Sequence, residues 1–479
     1  MERASRRRPV RARARGKIVK RTLPWILAGV VALSPVLAQE KLPPEFSLES
    51  AVSWALAHNP AGQAAGYEVE GAARDVQRAL YKKYLPDLDL SLYTGLVPGA
   101  RGDIFYSPDK QTDLDQLGVF YRFSLSLLQP LYTFGGATAG VDAARRLKDA
   151  AESQRDVVLE TLALEVVKAY WGLSAAKKAE ALAGQSRESY DQLLAEIQKR
   201  LGKDDSEVDD LDLLEAKSYQ IDIEEIRQES LTKRALAERA FNVLLDLGSE
   251  ARVAIADEAS PELVSGSDLP PGLLLLAEKA HPEVRGGEAG VLALEARIRL
   301  AKSRGLPSLF FGAGIGYARA ANRQDQTNPF AVDGFNYRSI DAVLGLRWDP
   351  DVFLHRIEVA RAESDFRAAR EKMRLLRAEV ELGVRQAFLE ARKNDALLRA
   401  ARRSLGAAKT WLRVGMENWE LGLGDSYRLL RAYQAYYRLR GTEIEREYQF
   451  NVSLAKLAYA SGSMKTYLGW VKAGRAVLD

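Results

Sequence analysis

Twice in this chain a strand-like stretch runs into helix-like sequence of unusual length, and the hydrophobic period changes at each junction. In the first, Tyr121, Phe123, Leu125 and Leu127 alternate with Arg122, Ser124 and Ser126 up to Gln129-Pro130-Leu131-Tyr132-Thr133-Phe134-Gly135-Gly136. Past Gly136 the spacing becomes three and four, through Leu159, Leu162, Val166, Ala169, Leu173 and Ala176. Period two gives a strand two unlike faces, whereas the three-four period draws one apolar stripe along a helix. Pro130 has no N–H to give a sheet ladder and is expected to end the strand, with Gly135 and Gly136 completing the junction. The helix is predicted from about Ala137 to Lys199, on the order of 95 Å at ~1.5 Å per residue, and its spacing points to coiled-coil packing. The second junction, Ala342-Val343-Leu344-Gly345-Leu346-Arg347-Trp348-Asp349-Pro350, is followed by the stripe Val380, Val384, Ala387, Ala391 and Leu398.

The flanking elements repeat as well. Ser47 and Ser50 are candidate caps for a helix that Asn59-Pro60 interrupts and Leu85-Pro86 ends. The alternating run Asp87 to Thr94, a polar loop and the strand to Pro130 then make a hairpin. In the second copy Ala280-His281-Pro282 answers His58-Asn59-Pro60, and Gly305-Leu306-Pro307 answers Tyr84-Leu85-Pro86. Strands Leu309 to Tyr317 and Ile340 to Trp348 form its hairpin. A return helix is expected from Leu213 to Leu247 with Gly248 as its stop, and Leu429-Leu430-Arg431-Ala432 answers Leu213-Leu214-Glu215-Ala216. The expected division is a signal peptide at 1–38, repeats at 39–260 and 273–462, a linker at 261–272 and a tail at 463–479.

Charge has to be read without the leader. Residues 1–38 hold ten of the 69 Lys and Arg but one of the 65 acids, so the rest carries 59 basic and 64 acidic residues, a net of −5. The basic balance of the whole chain belongs mostly to the leader, and no nucleic-acid partner is expected. The Arg-rich start, the apolar core Leu23 to Val36 and the ending Val36-Leu37-Ala38 have the layout of a secretory signal. With no cysteine there is no disulfide, thiolate metal site or lipidated cysteine.

Each hairpin has an apolar face (Leu88, Leu90, Leu92; Leu309, Phe311, Ala313, Ile315, Tyr317) and a polar or small one (Asp89, Ser91; Gly312, Gly314, Gly316; Asp341, Arg347). Lipid outside and water inside produce that pattern, and so does a soluble half-buried sheet; the export signal and the lack of further strands for a soluble sandwich favour the former. Four strands cannot close a channel, and lipid does not tolerate an open edge, so if these strands cross the membrane several chains must share one barrel. The order of elements, the Gln129-Pro130-Leu131-Tyr132 junction with its Gly-Gly, and the duplication resemble the TolC-like outer-membrane efflux family across roughly Phe46 to Gly462. The resemblance implies a mainly α fold: duplicated long coiled-coil hairpins forming a periplasmic α-barrel, plus four strands per chain in a trimeric transmembrane β-barrel. It implies a homotrimer in outer-membrane lipid, served by a periplasmic adaptor and an inner-membrane pump. Val352-Phe353-Leu354-His355-Arg356 stands where that family commonly has glycines.

The resemblance also places the two far turns at a narrow periplasmic mouth. The first, from Asp204 through Asp209, Asp210 and Asp212, is acidic; the second, Asp425 to Arg440, carries Arg428, Arg431, Arg438 and Arg440. Arg428 and Arg431 are therefore candidates to pair with Asp210 and Asp212 of a neighbouring turn. His58 and His281 are expected at helix ends and His355 in solvent. Gly312-Ala313-Gly314-Ile315-Gly316 opens no helix and so is no phosphate loop. No catalytic constellation, cofactor or metal site is expected. The expected function is a passive export duct for efflux or type I secretion; the rivals are a periplasmic coiled-coil scaffold or adaptor without a transmembrane barrel and a secreted enzyme of a repeat fold.

Overall fold

The computed structural model describes residues 43–102, 111–201, 208–248, 251–264, 268–325, 333–423 and 425–477. The expected signal peptide and the acidic residues 204–207 lie outside them. Pro44 onward forms one compact unit.

Helices α1 (Leu48–His58) and α2 (Pro60–Tyr84) lead into strands β1 (Asp87–Arg101) and β2 (Gln111–Tyr132), then α3 (Gly136–Leu201). Helices α4 (Asp210–Ser218) and α5 (Gln220–Leu244) return. After β3 (Glu262–Val264) the order repeats as α6 (Pro271–Ala280), α7 (Pro282–Arg304), β4 (Ser308–Ala320), β5 (Tyr337–Arg347), α8 (Val352–Glu420) and α9 (Ser426–Ala460). Helix α10 (Met464–Ala473) and β6 (Arg475–Val477) end the unit. Among the described residues no helix is long and apolar enough to cross a membrane.

The strands pair antiparallel in the order β1-β2-β4-β5, so β1 and β5 are open edges. The strand does not stop at Pro130, as its missing donor suggested. A register shift puts Pro130 opposite Phe310 and Tyr132 opposite Leu309, and this bulge lets the strand pass the proline. Nor is the return helix single. It breaks at Tyr219, it ends at Leu244, and the left-handed residue past its cap is Asp246 at φ 55° rather than Gly248, with Leu247 N–H bonded to Asn242 O at 2.9 Å. The presumed linker and tail also hold structure, because β3 and β6 pair in parallel.

The main core gathers where the stripes cross: Val166, Tyr170, Trp171 and Leu173 of α3, Val384 and Phe388 of α8, Leu454 of α9 and Tyr467 of α10. Burying a side chain of this size contributes ~1.5–3 kcal/mol. Its polar ends are satisfied, with Trp171 Nε1 donating to Tyr467 Oη at 2.7 Å and Tyr170 Oη to Ala256 O at 2.7 Å. A second cluster of Leu193, Ile197, Ala216, Trp419, Leu429 and Leu430 closes the far end of the helices. Arg200 seals it, its guanidinium 4.2 Å over the Trp419 ring and bonded to Trp419 O at 2.9 Å.

Candidate functional site

The register of the sheet aligns side chains into rows across all four strands. One row reads Asp89, Ser126, Gly314, Asp341, and the next reads Ser91, Ser124, Gly316, Ser339. Partners directly opposite share a face, so Asp89, Gly314 and Asp341 lie on one face, Gly314 beside Asp341 and Asp89 on the far strand, with Ser91 Oγ 2.7 Å from Ser124 Oγ in the next row. The glycines have a steric reason. A Cβ on Gly314 would lie 2.9 Å from Asp341 Oδ1, and one on Gly316 would lie 2.6 Å from Ser339 Oγ. Small residues let the side chains of β5 lie flat over β4.

The interleaved rows are apolar: Leu90, Leu125, Ile315, Ile340, and below them Leu88, Leu127, Ala313, Ala342. Leu90 and Ile340 are 65 % and 85 % exposed, so no described residue covers this face there. Towards the helices the other face also loses polarity. Gly312 lies between Leu128 and Val343, and Arg347, opposite Ser308, spreads its guanidinium 5.3 Å over Phe310.

At the loop end the structure shows a cluster that sequence reasoning missed. Arg122 donates to Gly334 O and lies 5.7 Å from the Phe335 ring, and Phe120 meets the same ring edge-on at 4.9 Å. Arg323 bonds Asp333 at 2.8 Å and Pro98 O at 2.9 Å, tying both hairpins together. In sequence Arg122 is the cation in an alternation otherwise of serines, Ser124 and Ser126, but its partners are some two hundred residues away.

The helix junctions are well defined. Phe134 and Gly135 have φ of 48° and 82°, and Thr133 Oγ1 accepts from Ala137 N–H at 3.0 Å. A Cβ on Gly136 would fall 2.4 Å from Ser303 Oγ. Pro350 instead precedes Asp351, whose carboxylate caps α8 by accepting from Leu354 N–H at 2.9 Å. His355 is not in solvent: it is half-buried against Gly305, with Nε2 3.1 Å from Asp349 O.

At the far turns, Asp209 and Asp212 form a capping box on α4, and Asp212 accepts a hydrogen bond from Ser426 Oγ. Asp210 opens α4 beside them. Arg428 lies 3.8 Å from Asp425 of its own helix, and Arg431 bonds Tyr427 Oη at 3.1 Å. Within one chain the arginines thus meet partners other than Asp210 and Asp212. Among the described residues no group of three or more acidic or histidine side chains is placed to hold a metal.

A family model described as outer membrane efflux protein matches residues 51–216 and 273–463. The chain belongs to the outer membrane efflux protein family. Protein CyaE of Bordetella pertussis is 25 % identical over 457 residues, covering 91 % of this chain and 86 % of that one. The solved structure of CusC superposes with a TM-score of 0.71 at 18 % identity, covering 89 % of this chain and 96 % of that one. The Campylobacter jejuni CmeC outer membrane channel gives 0.69 at 15 % identity, covering 90 % of each chain. The open-state MtrE outer membrane channel of Neisseria gonorrhoeae gives 0.68 at 17 %, covering 87 % and 89 %. As a member of this family the chain is an outer-membrane channel protein with a helical periplasmic part.

Proposed function

We propose that three copies close one barrel of twelve strands, β5 of each pairing with β1 of the next, to make a passive duct for efflux or type I secretion. A periplasmic adaptor and an inner-membrane pump supply cargo and energy, and the duct performs no chemistry. The observation that carries this reading is the in-register sheet with an exposed apolar face, a small polar face and two unpaired edges. An edge in lipid leaves N–H and C=O groups without partners, and closure between copies removes that cost. The two repeats, 39–260 and 273–462, are copies of one ancestral unit. At the periplasmic mouth, Arg428 and Arg431 pair between copies with Asp210 and Asp212, with Asp209 and Asp425 alongside.

Light scattering of the detergent-solubilised protein, corrected for bound detergent, should give a trimer that conducts in planar bilayers. A stable conducting monomer is incompatible with the reading. The scaffold alternative requires the protein to be extracted without detergent.

A further inference from the structure

The helix end of the β4–β5 hairpin carries a groove of about 380 Å³ between α7 and α8. Leu306, Trp348, Val352 and Val359 line its apolar side, and Lys302, Asp349, Arg356 and Glu363 are its charged lining. The α8 contributors recur at helical spacing, so one stripe of that helix forms a continuous wall.

Its height relative to the membrane follows from the strand alternation. Leu344, Leu346 and Trp348 succeed one another on the apolar face, and all three are exposed. Trp348 stands where that band ends, its Nε1 donating to Gly305 O at 3.3 Å. Tyr132 marks the same edge on β2, opposite Leu309. At the other edge Tyr121 and Tyr317 lie together, ring centroids 6.1 Å apart. Aromatic side chains at both limits of an apolar band mark the two headgroup levels. The groove therefore opens at the headgroup level of the leaflet facing the periplasm.

Its polar groups are of both signs and incompletely used. Arg356 makes no ion pair among the described residues, while Lys302 has Glu363 at 3.4 Å. Asp349 is exposed, and among the described residues its carboxylate takes up only the N–H of Asp351, at 3.4 Å. His355 Nδ1, also on the groove, is buried with no partner among the described residues. Two cations suit a phosphate, a neighbouring carboxylate suits an ammonium, and the apolar side continues into the acyl-chain band.

We propose that this groove binds a zwitterionic phospholipid of the periplasmic leaflet, with the phosphate on Lys302 and Arg356, the ammonium towards Asp349 and the acyl chains along Trp348 and Leu346. The proposal rests on the reading of β4 and β5 as membrane strands. The occupant is lipid rather than a second copy because the groove is continuous with the lipid-facing band and its charges match one headgroup.

The test uses delipidated full-length protein in detergent whose oligomeric mass and single-channel conductance have first been measured. Dioleoylphosphatidylethanolamine is titrated in and followed by native mass spectrometry, with dioleoylphosphatidylglycerol as the comparison. The parent should bind phosphatidylethanolamine in preference, and R356Q and K302Q should each weaken it about tenfold, the size of one lost charged hydrogen bond. D349N should erase the preference over phosphatidylglycerol. Mass and conductance of these surface variants should not change. Equal binding by the parent and the R356Q/K302Q double variant overturns the proposal, as does tighter binding of phosphatidylglycerol by the parent. Dissociation of the oligomer in the double variant assigns the groove to a neighbouring copy and overturns it too. A parent that conducts but binds no lipid leaves the duct reading intact, whereas a parent that neither assembles nor conducts removes both.

Discussion

Between β2 and α3 the chain turns on two residues at positive φ and on a helix start so close to α7 that Gly136 has no room for a side chain. Between β5 and α8 no described residue has positive φ, and carboxylates hold the turn: Asp349 accepts from Asp351, and Asp351 accepts from Leu354. The helix breaks differ in the opposite sense. Asn59 accepts from Ala61 N–H at 2.9 Å and donates to Leu244 O at 2.9 Å, while its counterpart His281 makes no side-chain cap and leaves Nδ1 buried without a partner among the described residues. Each strand–helix junction is thus built differently, the first by close fit of backbone and the second by replaceable side chains, and at the helix breaks the roles are exchanged. Where the fit is tight nothing else can enter, and where side chains make the turn a groove remains.

The strongest test of that contrast is steric. Gly136→Val should destabilise the chain by about 1–3 kcal/mol through overpacking against Ser303, and Gly135→Ala by a further ~1–2 kcal/mol because its φ is left-handed. Asp351→Ala should cost only about 1 kcal/mol, the usual value of a lost cap. Thermal unfolding of the solubilised protein measures all three. An Asp351→Ala loss as large as that of Gly136→Val would show that the second junction is equally constrained. Ser303→Ala should recover part of the Gly136→Ala loss, because the nearest clash is with Oγ.

Asn59→Ala comes next, at about 1–2 kcal/mol, since it removes a cap and strands the Leu244 carbonyl. The matching probe of the second copy is pH. Burial holds the His281 imidazole below its ordinary range, with Glu283 acting weakly in the opposite sense. The unfolded chain then takes up the proton first, so His281 contributes its stability above the ordinary imidazole value of ~6.5 and loses it as pH falls below that value. Glu160, which accepts from Met464 N–H at 2.6 Å, has its carboxyl pushed up by burial and acts the other way, losing stability as pH rises through the carboxylate range. The difference between parent and His281→Gln melting curves across pH 5–8 isolates the histidine. A difference independent of pH would mean that this ring is protonated equally in both states.

The alternation of β1, β2, β4 and β5 was legible because each strand carries its own two faces, and so was the Asn59-Pro60 break. Rows such as Asp89-Ser126-Gly314-Asp341 needed the register, which no single strand encodes. Pro130 misled because a bulge absorbs a missing donor, and Asp246 took the left-handed position expected of Gly248. His281 has Asn59 rather than His58 as its counterpart, since both directly precede the proline that opens the next helix. The Gly136–Ser303 contact and the Arg122–Phe335 cluster join residues more than 150 positions apart, and pattern reading of local sequence has no access to them.

The far turns offer the smallest effect, and again two copies of one element that differ. The α4 turn gathers acids whose carboxylates are partly engaged, Asp209 and Asp212 in the capping box and Asp212 also with Ser426. The α9 turn presents Arg428, whose side chain is 84 % exposed and only 3.8 Å from Asp425 in the same helix. An exposed pair of this kind contributes ~0–1 kcal/mol, so neither turn can hold a mouth shut alone. If arginines of one copy instead meet acids of the next, a closed ring repeats the small attraction at each interface, and salt weakens it because the screening length falls from ~10 Å at 0.1 M to ~3 Å at 1 M. Arg428→Ala with Arg431→Ala should therefore raise single-channel conductance at low salt, with the excess over the parent fading as salt rises. Arg428→Glu with Arg431→Glu should raise it further, because like charges then face each other. Conductance equal to the parent's in both double variants at low salt would leave these arginines as solvated helix charges and move the closing contact elsewhere on the turns.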